Sequence, residues 1–286
     1  YNKVREEGTR KVVLAANSRD IKLAIQNGDM CVVHSVEGGH SLNGKAAGKL
    51  YSEENAIEPN EIRNEVLDNL QTLYDKGVAY LGLAHFYPNR CVFPVFPYPE
   101  YGASHLDWRA ITKGLTPLGE EVVEKMLDLG MLIDISHCTL KARKRIYEIV
   151  KSNKKTECLL STHTGVFEVN RISYNLRDWE LKWMADRGCA VGIIFMNYWT
   201  SPIDSGLGLK YIEQTLNHII NVCGEDTASI GTDFDGFTDP PDEIVDVSEL
   251  PRITMYLKGI GYEDDVVEKF LGKNALRVLM NGWKKK

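Results

Sequence analysis

Short apolar runs alternate along this chain with segments whose apolar residues recur at helical spacing. The runs are rich in β-branched residues, which is typical of parallel strands buried on both faces. The predicted strands are Cys31–Val36, Ala79–Ala84, Met131–Ile135, Cys158–Ser161, Ala190–Met196 and Ala228–Gly231. The predicted helices between them are Glu61–Lys76, Pro117–Leu129, Leu140–Ser152, Asp178–Arg187 and Leu209–Cys223. This alternation predicts βαβ units and therefore an α/β fold with a parallel sheet.

Two architectures are built from βαβ units, the closed barrel and the doubly wound open sheet. A doubly wound sheet usually carries a glycine-rich phosphate loop after its first strand. Gly38-Gly39-His40 follows the first predicted strand and does not have that pattern. The 286 residues suit one barrel, which typically needs about 250 residues. We therefore expect a TIM-type (β/α) barrel and one domain over residues 1–286.

Charge and hydropathy exclude several classes of partner. The net charge of −6 leaves no basic excess to neutralise phosphates, which argues against nucleic acid. No run approaches the ~20 apolar residues that cross a bilayer, and Tyr1 to Arg10 lacks the apolar core of a signal peptide. The six cysteines have no C-x-x-C spacing, so we interpret them as reduced core residues. We expect a soluble, cytoplasmic protein; removal of a signal peptide ahead of Tyr1 is the alternative.

Residues with metal-binding or acid/base side chains follow most of the predicted strands. They are Glu37, His85, His137, His163 and Asp233. In a barrel these strand ends converge on one mouth. Glu, His and Asp are the side chains that bind zinc at catalytic sites. Asp233 beside a metal can act as general base and then as general acid.

The other histidines and one further acid can be compared with these strand-end residues. His218 lies in the middle of a predicted helix, and we interpret it as structural. His34 lies within a strand, whereas His40 and His105 lie in loops; of these, His40 is the best candidate for a supporting role. Asp235 follows Asp233 by two residues, and we expect it either to form the turn or to support Asp233.

Four segments together resemble the membrane (renal) dipeptidase family of the amidohydrolase superfamily. They are VEGGHSL (36–42), GLTPLGEEVVEKMLDLGMLIDISH (114–137), STHTG (161–165) and IGTDFDG (230–236). The later DVSELPRITMYL and FLGKNALRVL resemble the C-terminal part of that family. The resemblance extends from about Ser18 to Met280.

The resemblance implies a zinc-dependent hydrolase with roles for the strand-end residues. Glu37 would bridge two zinc ions, and His137 and His163 would bind one of them. Asp233 would be the acid/base residue, and His85 would contact the substrate and polarise the scissile carbonyl. Family members are commonly dimers, so the resemblance also implies a homodimer.

The residue that holds the substrate carboxylate has two candidates. In that family an arginine lies after the strand that corresponds to the fourth predicted strand here. At that place the segment NRISYNLRD offers Arg171. A different register of the alignment places Tyr174 at this position. We take Arg171 as the substrate-binding candidate.

One family motif does not occur at the end of a predicted strand in this sequence. The family opens with a strand ending in His-x-Asp, which supplies two ligands of the first metal. The one His-x-Asp in this sequence, His105-Leu106-Asp107, lies in a loop and not at the end of a predicted strand. We count six strands where eight are expected, with the first two absent. Either preceding residues are missing from this chain, which we favour, or the chain is a divergent member that has lost one metal site. We therefore expect one zinc ion or none.

The predicted activity is hydrolysis of the amide bond of dipeptides, including substrates with a D-residue at the C-terminal side. The alternatives are another amidohydrolase activity, on N-acyl amino acids or lactones, and a metal-poor homologue that binds without catalysis. Metal content and activity on a small dipeptide panel would distinguish them.

Overall fold

The computed structural model describes residues 11–44, 57–86, 89–95, 112–153, 159–202, 208–237 and 239–284. Within these residues the chain forms eight strands. They are β1 (Val12–Ala15), β2 (Met30–Val33), β3 (Ser35–Glu37), β4 (Tyr80–Gly82), β5 (Leu132–Asp134), β6 (Leu160–Thr164), β7 (Ala190–Ile193) and β8 (Ala228–Ile230).

All strand pairs between these elements are parallel. β3 to β8 form one six-stranded sheet in chain order, and β1 pairs with β2 in a separate two-stranded sheet. Neighbouring strands in chain order must be joined by a crossover, and the helices between them supply it. The α/β class and the parallel sheet predicted from the sequence are confirmed.

Helices follow most strands. They are α1 (Ser18–Asn27), α2 (Asn60–Asp75), α3 (Pro117–Leu129), α4 (Leu140–Ser152), α5 (Asp178–Ala185), α6 (Asn197–Thr200), α7 (Leu209–Cys223), α8 (Pro251–Gly259), α9 (Asp264–Glu268) and α10 (Asn274–Gly282). Short 3₁₀ turns cover Gly39–Leu42 and Val247–Glu249, and a π-helical turn, Lys269–Lys273, joins α9 to α10. None of the helices in these ranges is long and apolar enough to cross a membrane.

Capping residues explain where α3 and α4 begin and end. The Thr116 side chain accepts a hydrogen bond from the Gly119 N–H, and Pro117 occupies the first turn, where no N–H is needed. Gly130 ends α3 with φ of 73°, a left-handed conformation that glycine adopts without steric cost. Thr139 caps α4 in the same way through the Ala142 N–H.

The core lies between the six-stranded sheet and its helices. Leu81, Ile133 and Val191 in the strands are fully buried, as are Val122 and Met126 of α3. One continuous cluster of buried apolar residues joins these strands to the helices. The strand ends are thus held on a packed scaffold.

The first predicted strand differs from the structure. Cys31–Val36 is divided into β2 and β3 at His34, which is exposed, and β1 lies ahead of it where no strand was predicted. These elements are less buried than β4 to β8, and β3 alternates between exposed and half-buried residues. The prediction assumed a strand buried on both faces, and this assumption does not hold for β2 and β3.

Candidate active site

The strand-end residues named above lie at one edge of the six-stranded sheet. Glu37 is the last residue of β3, and His163 lies near the end of β6. His85, His137 and Asp233 each follow a strand by three residues, after β4, β5 and β8. Because parallel strands end at the same edge, these side chains project into one region.

Three of these side chains converge on one point. The Glu37 Oε1 atom lies 3.1 Å from His137 Nε2 and 3.3 Å from His163 Nε2. The two Nε2 atoms are 2.8 Å apart. A tetrahedral zinc ion with ligands at about 2.0–2.1 Å separates its ligand atoms by about 3.3–3.4 Å. The three atoms therefore have a spacing close to that of a zinc ligand set.

A hydrogen-bond chain fixes the tautomer of His163. Thr162 Oγ1 donates to Asp134 Oδ2 at 2.6 Å and lies 2.9 Å from His163 Nδ1. Because a hydroxyl has one proton, and Asp134 receives it, Thr162 must accept from the Nδ1–H of His163. The Nε2 lone pair is then free to face Glu37 and His137. This arrangement matches the outer hydrogen bonds of metal-binding histidines.

Asp134 is buried and fully satisfied by neighbouring donors. Its Oδ1 accepts from the Ser136 N–H and hydroxyl and from the Thr162 N–H, at 2.9–3.0 Å. A buried carboxylate without such partners would cost several kcal/mol. Neither Asp134 nor Thr162 was predicted from the sequence as a site residue. A polar residue inside an otherwise apolar strand, as in LIDISH and LLSTHT, was the available indication.

Two glycines let strands approach Thr162. A Cβ atom on Gly192 of β7, or on Gly231 after β8, would lie 2.0 Å from the Thr162 carbonyl oxygen. Any larger residue would push the strands apart. The close packing of β6, β7 and β8 at this level holds the segment that carries His163.

Electrostatics keep Glu37 ionised and His137 neutral. Burial acts to raise the pKa of Glu37, but the hydrogen bond from His137 and the nearby histidines outweigh it and lower this pKa to about 2. Burial lowers the pKa of His137 to about 4, although Glu37 opposes the change. A carboxylate and a neutral imidazole are the forms that bind a metal ion.

His85 and Asp233 lie beside the three converging side chains. His85 Nε2 is 3.6 Å from Glu37 Oε2, and burial lowers the pKa of His85. Asp233 lines a cavity of about 350 Å³ together with Glu37, Thr162 and His163. Burial raises the pKa of Asp233, and the charges of Glu37 and Asp134 add to this.

Aromatic side chains enclose His137. Its ring meets Tyr174 at 5.5 Å and Trp199 at 5.7 Å between centroids, both edge-on. Phe86 approaches at 5.5 Å from the segment after β4 and stacks on His85 at 4.1 Å. These apolar walls limit the access of water to His137.

The structure separates the two candidates for binding a substrate carboxylate. Tyr174 is buried against His137, as described above. Arg171 is exposed. Tyr174 therefore contacts the converging group directly, and the assignment of Arg171 to the substrate stays a prediction.

The other histidines that the structure describes, apart from His85, lie away from the three converging atoms. His40 is exposed on the turn after β3, with its ring 6.2 Å from that of His85. His218 Nε2 bonds Asp178 Oδ1 at 2.7 Å and joins α7 to α5, near Glu168. His34 is exposed, and His105 lies outside the described residues. Asp235 is exposed and has φ of 68°.

The chain is similar to known proteins in sequence and in fold. A family model described as membrane dipeptidase (peptidase family M19) matches residues 59–283. An uncharacterized protein in the pqqA 5′ region of Klebsiella pneumoniae is 36% identical over 173 residues, covering 59% of this chain and 62% of that protein. The chain thus spans less than two thirds of the length of this relative.

Solved structures share the fold at low sequence identity. The probable dipeptidase PvdM from Pseudomonas aeruginosa is 18% identical, with a TM-score of 0.75, over 100% of this chain and 77% of that one. A metallo peptidase from Rhodobacter sphaeroides, liganded with a phosphinate mimic of the dipeptide L-Ala-D-Ala, is 21% identical. Its TM-score is 0.72, over 95% of this chain and 69% of that one. His85, His137, His163 and Asp233 lie within the residues that the family model matches, whereas Glu37 precedes them.

Proposed function

Because the chain belongs to the membrane dipeptidase family, peptidase family M19, we propose that it is a zinc-dependent hydrolase of dipeptide amide bonds. The observation that carries this proposal is the convergence of Glu37, His137 and His163 within 2.8–3.3 Å. Two imidazoles and one carboxylate leave a fourth position for water, which is the pattern of a catalytic zinc site.

The proposed architecture is a TIM-type (β/α) barrel in a single domain. In support, β3 to β8 are parallel and hydrogen-bonded in chain order, with helices in the connections. The polar residues lie at the carboxyl ends of the strands, where barrel enzymes bind substrate.

Each side chain has a proposed role in the reaction. Zinc held by Glu37, His137 and His163 would polarise the scissile carbonyl and activate the attacking water. His85 donates a hydrogen bond to the oxyanion that develops on the carbonyl. Asp233 takes a proton from the attacking water and returns it to the leaving amine. The raised pKa of Asp233 suits this second step, because it favours the protonated carboxyl.

The proposed substrates are small dipeptides, including those with a D-residue at the C-terminal side. The Rhodobacter sphaeroides metallo peptidase binds a mimic of L-Ala-D-Ala, and we extend that substrate class to this chain as a proposal. The enclosed aromatic surroundings of His137 suit a small substrate.

Activity of the zinc-loaded protein on a panel of L,L- and L,D-dipeptides tests the proposal. Release of free amino acids, measured by chromatography, should require zinc and should be lost in His137→Ala together with the metal. His218→Ala is the matched control, because His218 lies on α7 away from the converging atoms. Stoichiometric zinc without hydrolysis of any dipeptide would contradict the activity. N-acyl amino acids and lactones would then be the next substrates to test.

A further inference from the structure

Arg143 on α4 is a buried arginine next to the candidate site. Its side chain is 2% exposed, and its guanidinium pairs with Glu180 of α5 through two bonds of 2.7 and 3.0 Å. Tyr147 also donates to Glu180, at 3.0 Å. A buried charge of this kind needs every donor satisfied, so the remaining contacts of Arg143 are informative.

Those contacts go to backbone carbonyls in two loops. Nη1 donates to the Cys138 carbonyl at 2.7 Å, and longer contacts of 3.4 Å reach the carbonyls of Ser173 and Asn175. Cys138 directly follows His137, and Ser173 and Asn175 flank Tyr174. A single guanidinium thus contacts the backbone beside both His137 and Tyr174.

The orientation of the His137 ring depends on the backbone more than the orientation of the His163 ring does. His163 Nδ1 is oriented by Thr162, whereas His137 Nδ1 is buried and has no hydrogen-bond partner among the described residues. His137 also has φ of 61°, a conformation that non-glycine residues adopt only when the surroundings impose it. The turn that carries His137 therefore sets the direction of its ring together with the aromatic rings packed around it.

We propose that Arg143 is a positioning residue, which holds the turn of His137 against the loop of Tyr174 so that His137 Nε2 faces Glu37 and His163. This role as ligand support rests on the proposed function, since it assumes that His137 binds the metal. Asn175 extends the arrangement, because its Oδ1 accepts from the Gly165 N–H and its Nδ2 donates to the Trp199 carbonyl, both at 2.9 Å.

Two variants test this role without leaving a buried charge unpaired. Arg143→Lys keeps the charge opposite Glu180 but lacks the planar fork that reaches several acceptors at once. Arg143→Met/Glu180→Gln removes both charges and keeps an acceptor for Tyr147. Arg145→Met is the control, because Arg145 is on the same helix but pairs with Glu120 and Glu148 at the surface.

The first measurements are zinc affinity by chelator competition and the visible spectrum of the cobalt-substituted protein. Both variants should bind zinc about 10- to 100-fold more weakly, the usual effect of losing support behind a metal ligand. The cobalt spectrum should change in both, and Arg145→Met should match the parent. If either Arg143 variant folds and keeps the affinity and spectrum of the parent, the proposal is wrong.

A second measurement separates this proposal from the proposed function. Neither zinc affinity nor the cobalt spectrum uses a substrate, so a parent that binds zinc but cleaves no dipeptide still allows the test. For a parent that binds no zinc, nitrogen-15 spectra of the histidine rings report the metal-free site. The ring signals of His137 should shift or broaden in both Arg143 variants, and unchanged signals would overturn the proposal.

Discussion

Three residues other than glycine have positive φ in the part of the chain that the structure describes, namely His137, Asp233 and Asp235. Left-handed backbone costs an L-residue about 1–2 kcal/mol, and Asp tolerates it better than most residues. All three lie after strands at the candidate site. Such strain persists only where the surroundings impose it, and it concentrates at functional sites. The strain therefore supports the importance of these turns independently of the chemistry of the side chains.

Replacing Asp233 with Asn should separate proton transfer from metal binding. Asp233 is not one of the three converging side chains, so Asp233→Asn should leave zinc content and thermal stability nearly unchanged. We expect kcat on a dipeptide to fall about 100-fold or more, the scale of a lost general acid/base. Elemental analysis and steady-state kinetics measure the two effects.

The exposed Asp235 is the matched control for this substitution. Asp235→Asn should keep kcat, because Asp235 points to solvent two residues further along the same turn. Full activity of Asp233→Asn, with loss in Asp235→Asn, would move the acid/base role to Asp235.

Loss of the Thr162 hydroxyl should lower zinc affinity and stability more than loss of the neighbouring Ser161 hydroxyl. Thr162→Val removes the link between Asp134 and His163, so zinc affinity should fall about 10- to 100-fold. It also leaves Asp134 short of one donor, which should cost about 1–3 kcal/mol of unfolding free energy. Chelator competition and urea denaturation measure these quantities.

Ser161→Ala provides the comparison. The Ser161 hydroxyl is buried but has no hydrogen-bond partner among the described residues. Its removal should change neither zinc affinity nor stability by a comparable amount. Equal losses in the two variants would show that packing in β6, and not the hydrogen bond, orients His163.

At the scale of elements, the helices were the most predictable from sequence. Pro117–Leu129, Leu140–Ser152 and Leu209–Cys223 have the predicted bounds. For α3, a threonine cap, a first-turn proline and a terminal glycine mark both ends locally. β1, VVLA, was missed although its four residues are all apolar; it is less buried than β7, where every residue is buried.

The site was predictable where it follows from strand ends, and less so where it depends on contacts between strands. The parallel-sheet rule alone predicts that Glu37, His137 and His163 lie near one another. The hydrogen bonds of Thr162 to Asp134, 28 residues apart, depend on the pairing of β5 with β6. Trp199 reaches His137 from α6, and no spacing in the sequence indicates this contact.

The Thr116 cap should contribute more to stability than an ordinary helix threonine. Its Oγ1 accepts from Gly119 and donates to the Arg90 carbonyl at 2.5 Å, in a buried position. Thr116→Ala should therefore lower the unfolding free energy by about 1–2 kcal/mol, as for other lost caps. Thr72→Ala on α2 is the control, because the Thr72 hydroxyl is exposed and donates only to the Asp68 carbonyl. Urea denaturation of both variants measures the loss of unfolding free energy, and equal losses would contradict the role of the cap.

At the scale of the whole molecule, the two ends of the six-stranded sheet have different chemistry. Leu132, Leu160 and Ala190, the first residues of β5, β6 and β7, pack in one apolar cluster with Leu279 of α10. The same α10 residue lines the cavity that Asp233 and His163 line from the other end. The last helix therefore closes the starts of the strands, and the polar side chains are left at their carboxyl ends.

The cysteines of the whole chain give a further prediction, since their spacing indicates reduced core residues. Cys31, Cys91, Cys138, Cys189 and Cys223 are free thiols, and Cys158 lies outside the described residues. Burial raises the pKa of Cys91 and of Cys138 to about 12, so neither forms the reactive thiolate between pH 7 and 9. Burial also raises the pKa of the half-buried Cys31 and Cys223.

Labelling of the native protein with a thiol reagent should therefore proceed at Cys31 and Cys223, more slowly than at a free cysteine. Its rate should rise from pH 7 to 9, because a higher pH increases the thiolate fraction of these two residues. Cys91 and Cys138 should react only in denaturant, where all six thiols should become available without a reductant. Mass spectrometry of the labelled peptides identifies each site. Rapid labelling of Cys138 in the native protein would show that the turn carrying His137 opens to solvent, and fewer than six thiols in denaturant would show a disulfide.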